Sequence, residues 1–168
     1  MSKIIGYHGT SYQAASNIVS NRSFKYSTKS NEWLGRGIYF YELQSKANWW
    51  AKQKTNGRVL ECEINVDDDK LLNLDIPENE NLIMNFADEL SKIGDITFSS
   101  DKIIRRCQLL DLFQVENEHK VTIYTFPSTN SYKKNELDYF GLNRTERQIC
   151  VHDKACINYN NIKTLRLS

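Results

Sequence analysis

Apolar positions along this chain follow two different periods, and the changes between them mark its elements. Val59 to Val66 alternates most cleanly. Leu60, Cys62, Ile64 and Val66 fall on one side with polar residues between them, which predicts a strand buried on one face. Lys3 to Gly9, Gly37 to Tyr41, Val121 to Phe126, Arg147 to Val151 and Ile162 to Leu167 predict further strands, the first with Ile4, Ile5 and Tyr7 near the core. Helical spacing governs about 12–20, where Ala14, Ala15, Ile18 and Val19 recur and Ser11 stands ready to cap the first turn. It returns over Leu43 to Lys54, where Ala47, Trp50 and Ala51 share one face, so Trp50 is expected on the core side and Trp49 is the better candidate to line a pocket. Two more helices are predicted over 78–93 (Leu82, Ile83, Phe86, Leu90) and 101–119 (Ile103, Ile104, Cys107, Leu110, Phe113). Asn56-Gly57 is a turn signal. Residues 21–31 are a polar loop. Residues 128–145 are a second one, bearing tyrosines and long enough to suggest a function.

Strands dispersed among helices, without a regular strand–helix–strand alternation, indicate an α+β fold. With no repeat, linker or low-complexity tract in 168 residues, the expectation is a single domain over 1–168, carrying a helical, acidic insertion at about 67–119. No apolar run approaches the roughly 18–20 residues of a membrane span. The opening MSKIIGYHGT lacks the apolar stretch of a secretory signal. A soluble, cytoplasmic protein with no membrane partner is the expectation.

Charge sharpens this picture. The formal net charge is only +1, yet residues 67–101 hold ten acidic residues against two basic ones. Residues 1–66 hold nine basic against four acidic, and 102–168 eleven against seven. The acidic block is a solvated face, while the basic outer thirds are compatible with a polyanionic partner. The four cysteines form no C-x-x-C pair and the histidines are scattered, so no metal site is expected, and Cys62 and Cys150 fit buried free thiols.

Three segments carry candidate chemistry. Tyr7-His8-Gly9-Thr10 ends the first strand, and its glycine lets a ligand approach the backbone. Gly35-Arg36-Gly37-Ile38-Tyr39-Phe40 leads into the second, with a glycine-rich bend expected to expose backbone amides. Tyr39 and Phe40 point to opposite faces, so one can line a pocket while the other fills the core. Arg144-Thr145-Glu146-Arg147-Gln148-Ile149-Cys150-Val151 puts Glu146 and Gln148 on one face of a late strand, with Ile149 and Val151 on the other. Singly, each segment is more often structural than functional.

In this order they resemble the catalytic domain of diphtheria-toxin-like ADP-ribosyltransferases, the branch that includes the poly(ADP-ribose) polymerases and many small bacterial toxins. The likeness rests on H-G-T, A-x-x-I, L-G-R-G-I-Y-F and A-N-W over residues 5–51, and more weakly on the late R-Q-I-C-V-H-D; residues 67–145 carry no match. The resemblance implies two small packed antiparallel sheets with flanking helices around an NAD cleft. It implies that NAD is the co-substrate, that no metal is needed, and that one ADP-ribose unit passes to a protein, RNA or DNA acceptor. Nucleic acid is slightly favoured by the basic ends and by Tyr132, Lys133, Lys134 and Arg144. It further implies that His8 bonds the nicotinamide-side ribose, that the Gly9 backbone meets the carboxamide, and that Tyr39 stacks on the nicotinamide ring. Thr10 and Gly37 complete those two motifs, and Trp49 or Trp50 covers the ring's other face. The polymerases carry a Glu at the third position. Here Gln148 takes that place, or Glu146 does if the match slips by two residues. Small relatives of this kind are often toxins of toxin–antitoxin or phage-defence systems, which would add an antitoxin as a partner. An inactive NAD- or ADP-ribose-binding module and an NAD glycohydrolase are the alternatives.

Overall fold

Among the described residues the chain forms β1 (Ser2–Thr10), α1 (Tyr12–Asn21), β2 (Ile38–Tyr41), α2 (Gln44–Ala51), β3 (Arg58–Val66), β4 (Leu71–Asn73), α3 (Pro77–Ile93), α4 (Lys102–Asn117), β5 (Val121–Pro127), β6 (Thr145–Val151) and β7 (Lys163–Leu165). The structure, a computed structural model, describes residues 1–27, 29–94, 96–127, 140–142 and 144–167. Most of the second polar loop, with Tyr132, Lys133 and Lys134, lies outside the described residues. The architecture is α+β. No helix among the described residues is long and apolar enough to cross a membrane.

The strands form one open sheet in the order β4-β5-β6-β2-β1-β3-β7, mixed because β4 and β5 run parallel while the other neighbours are antiparallel. This corrects the expectation of two separate antiparallel sheets. The reason lies at β1–β2. β1 pairs with β3 along its whole length, from Ser2↔Val66 to Thr10↔Arg58, but meets β2 only at Tyr7↔Tyr41. β2 in turn pairs with β6 from Ile38↔Val151 to Tyr41↔Gln148. A single residue pair therefore joins two well-laddered halves. The acidic stretch is also not purely helical. Leu71 to Asn73 adds the edge strand β4, too short for any period to announce it.

Side chains alternate across the sheet as its strand period requires. On one face Leu60, Cys62, Ile64, Phe40, Ile149 and Val151 pack with Ala15 and Ile18 of α1 and with Phe24. On the other, Cys150, Phe126 and Leu72 pack with Leu110 and Phe113 of α4. Ile5, expected near the core, is 39% exposed instead. The Ser11 hydroxyl accepts the Ala14 N–H at 3.2 Å, and Asp101 caps α4 through the N–H groups of Ile103 and Ile104. All four cysteines are free and buried, and burial pushes the Cys62 thiol up to about 12.

Helix α2 lies directly on β1 because Gly9 has no side chain. A Cβ there would stand 2.4 Å from the Ala47 carbonyl oxygen and 3.1 Å from the Ala51 nitrogen, and Ala47 and Ala51 are fully buried. Both obstacles are backbone and cannot rotate away. Gly9→Ala is expected to destabilise the fold by ~1–3 kcal/mol, as overpacking of a tight contact does. A thermal melt checks this, and an unchanged Tm would show that α2 lifts freely.

Candidate functional site

A cleft of about 370 Å³ opens where β1 and β2 part. Continued antiparallel pairing beyond Tyr7↔Tyr41 would bring Gly9 opposite Tyr39. Instead the strands separate, and the His8 imidazole bridges the gap with Nδ1 2.8 Å from the Tyr39 carbonyl oxygen. A carbonyl only accepts, so Nδ1 carries the proton and donates it, leaving Nε2 with a lone pair. His8 sits edge-on against Phe24 at 5.2 Å and beside Phe40 at 5.7 Å. Burial lowers its pKa, so the ring is neutral at pH 7, with the tautomer set by that one bond.

Tyr39 is fixed as firmly. Its hydroxyl donates to the Gly35 carbonyl and accepts the Leu34 N–H at 2.8 Å. Burial raises its pKa far beyond the ordinary phenol value. With the hydroxyl occupied by backbone, the aromatic face is what Tyr39 offers the cleft. Phe40, on the opposite side of β2, is 1% exposed and belongs to the core, as the alternation predicts.

Strand β6 supplies polar groups to the same cleft. Gln148 lies opposite Tyr41 of β2 and Tyr124 of β5, and Glu146 opposite Phe126. The Gln148 Nε2 donates to Glu146 Oε1 at 3.2 Å, and the Lys46 ammonium meets Glu146 Oε2 at 3.4 Å. Because a carboxylate only accepts, the amide must turn its nitrogen to Glu146, which leaves Gln148 Oε1 as an acceptor. Burial first, then the Glu146 charge, pushes the Tyr41 phenol up to about 12.

The cleft brings together His8, Gly9, Gly37, Tyr39, Trp49, Trp50, Glu146 and Gln148. Thr10 stays outside its lining, at the end of the β1–β3 ladder opposite Arg58. Two expectations need correction. Trp50 does not face the core: Trp49 and Trp50 are 47% and 41% exposed, and the Lys54 ammonium lies 4.6 Å over the Trp50 ring. Helix α2 is so short and so close to β1 that only Ala47, Asn48 and Ala51 are buried. Nor does the glycine-rich bend expose its amides. Gly37 exchanges both backbone bonds with Ser27, and the Arg36 N–H goes to Asp111 at 2.6 Å. Gly37 is small because a Cβ would meet Cys150 Sγ at 2.2 Å, and Gly35 because it adopts φ +83°. Sequence reasoning missed Lys25, Lys29 and Lys46 at this cleft. Lys46 stands beside Ala47 in the helical pattern, and only the β6 register reveals that it reaches Glu146.

All three histidines have pKa values lowered, first of all by burial. Their unfolded value is 6.5, so the unfolded chain binds protons that the folded one refuses. Stability is complete above that pH and declines as the pH falls below it, by at most about 1.4 kcal/mol per pH unit for each histidine. Glu63, held at about 2 chiefly by its bond from Lys3, acts in a lower window, below the ordinary carboxylate value of 4.5. Tm is expected to fall between pH 6.5 and 5, above the window in which Glu63 acts. A flat Tm across that interval would contradict the buried neutral rings.

No family model matches the chain. An uncharacterized protein of Methanocaldococcus jannaschii is 43% identical over 56 residues, which is 32% of this chain and 26% of that protein. The chain thus aligns with about a quarter of the length of that relative.

Proposed function

We propose that this protein is a mono-ADP-ribosyltransferase that breaks the nicotinamide–ribose bond of NAD and passes ADP-ribose to a macromolecular acceptor, nucleic acid slightly favoured over protein. The observation that carries the reading is the bond from His8 Nδ1 to the Tyr39 carbonyl. It ties the H-G-T and G-I-Y-F segments together at the one place where the sheet opens. Glu146 and Gln148 line the same cleft from the other side of β2. The cleft volume lies within the range of small-molecule sites.

The side chains suit the chemistry. His8 Nε2 accepts a ribose hydroxyl and so orients the sugar. Tyr39, with Trp49 or Trp50, presents aromatic faces to a flat cationic ring, each worth roughly 0.5–2 kcal/mol. When the glycosidic bond breaks, its electron pair leaves with nicotinamide, which departs neutral and needs no general acid. Positive charge is left on the ribose, as in glycoside hydrolysis; the Glu146 carboxylate is suited to stabilise it, and Gln148 to bond the ribose hydroxyl at the same third position. The acceptor then bonds to the anomeric carbon and loses its proton. A cytoplasmic, toxin-like role with an antitoxin partner rests on the family resemblance alone.

Incubation with labelled NAD and separate pools of protein, RNA and DNA tests the reading. Label is expected in one polymer. Free nicotinamide with no labelled polymer would make the protein a glycohydrolase, and NAD binding without nicotinamide release would make it a binding module.

A further inference from the structure

Among the described residues six lysine and arginine side chains pair with carboxylates. Lys3 meets Glu63 and Lys163 meets Glu61, both at 2.6 Å, while Arg147 meets Glu42 and Asp75. The cations of the turn between α1 and β2, and Lys154 beside it, are not among them. Among the described residues, Arg22, Lys25, Lys29, Arg36 and Lys154 have no carboxylate oxygen within 4.0 Å. They fall in two groups, linked where Lys25 and Tyr26 adjoin in the chain. Lys25 and Lys29 line the cleft, the Arg36 guanidinium and the Lys154 ammonium both lie over the Tyr26 ring at 5.3 and 4.5 Å, and Lys154 reaches Ser23 at 3.4 Å. Arg22 lines a surface pocket together with Ala155, the chain neighbour of Lys154. The acids nearby are engaged: Glu32 with the Ser27 hydroxyl, Asp111 with the Arg36 N–H, Asp153 with Lys120. Like charges gathered round one aromatic ring repel each other unless an anion lies among them.

We infer that this strip is the docking track of the acceptor, and that the acceptor is a single-stranded nucleic acid whose phosphates follow Lys25, Lys29, Arg36 and Lys154 away from the cleft mouth. The inference rests on the transferase reading for what happens in the cleft, but not for binding itself. A single strand is required because the reacting nucleotide has to enter the cleft. A base stacked in a duplex cannot do so without being unpaired and flipped, which costs energy a single strand does not owe. The phosphate track fixes position and leaves sequence choice to the cleft.

Fluorescence anisotropy of the full chain with labelled oligouridylate and oligothymidylate of about 16 nucleotides, and with a duplex of equal length, tests this. Both single strands are expected to bind more tightly than the duplex, and the stronger of the two identifies RNA or DNA. Affinity should fall steeply between about 50 and 200 mM salt, and Arg36→Gln and Lys154→Gln should each flatten the log–log salt slope by about 0.7. Lys163→Gln, removing a cation already paired with Glu61, should leave the slope unchanged. Unchanged slopes in Arg36→Gln and Lys154→Gln, or preference for the duplex, would overturn the track. Nicotinamide release from NAD, measured separately, keeps the two readings apart. Release without oligonucleotide binding sinks the track and spares the enzyme, while salt-sensitive binding without release does the reverse.

Discussion

His8→Ala is expected to lower nicotinamide release from NAD by roughly 10²-fold or more, the scale of losing a positioning contact, while the domain stays folded. Two contributions vanish together. One is the Nε2 lone pair, the acceptor that would orient the ribose. The other is the Nδ1 bond that holds the Tyr39 carbonyl across the gap between β1 and β2. The fold itself leans little on this ring, because the β1–β3 ladder and the β2–β6 ladder each stand without it. The main structural loss is the contact with Phe24 and Phe40, a partial cavity worth about 1–3 kcal/mol. The melt and the activity therefore answer different questions. A variant that retains most of its activity would remove His8 from the site, and one inactive only above a collapsed Tm would make it a core residue. The neutral ring adds a second readout. Release should be constant above pH 6.5 and fall once acid protonates Nε2, which then can only donate.

The elements were legible where one pattern ran unbroken. The alternation of Leu60, Cys62, Ile64 and Val66 marked β3, and Ser11 with the spacing of Ala15 and Ile18 marked α1. What was hidden depends on distance in space. Trp50 has the spacing of a core residue, yet α2 presses so closely on Gly9 that only its smallest side chains fit beneath it. The glycines at 35 and 37 looked like an open loop for a ligand. In the fold they are consumed by Asp111, Ser27 and Cys150, partners drawn from α4, the preceding loop and β6. No local pattern carries that information. The same holds for Lys46, whose contact lies 100 residues away along the chain, and for the single pair that joins the two halves of the sheet. Candidate site residues were recognisable by motif, whereas the bonds that hold them required the register.

The third position separates into two substitutions with unequal expected effects. Glu146→Gln keeps the shape and removes the charge. If the carboxylate stabilises positive charge developing on the ribose, kcat should fall by roughly 10²–10³-fold, as for loss of a preorganised electrostatic group, with KM little changed. Gln148→Ala removes an acceptor and the amide that braces Glu146 Oε1, so it should act more on KM and cost less in kcat. Lys46→Met tests how Glu146 is held. The ammonium meets a carboxylate that is only 11% exposed, and removing it takes away one of the two groups that hold that side chain in place. In this variant kcat should fall with KM little changed, and Lys46→Arg, which keeps the cation, should recover most of the loss. Gln148→Glu should not restore a polymerase-like site. It would replace a 3.2 Å donor–acceptor contact with two carboxylates that repel each other. Equal losses in Glu146→Gln and Gln148→Ala, with full activity in Lys46→Met, would show that β6 contributes shape alone and that the charge on the ribose is met elsewhere.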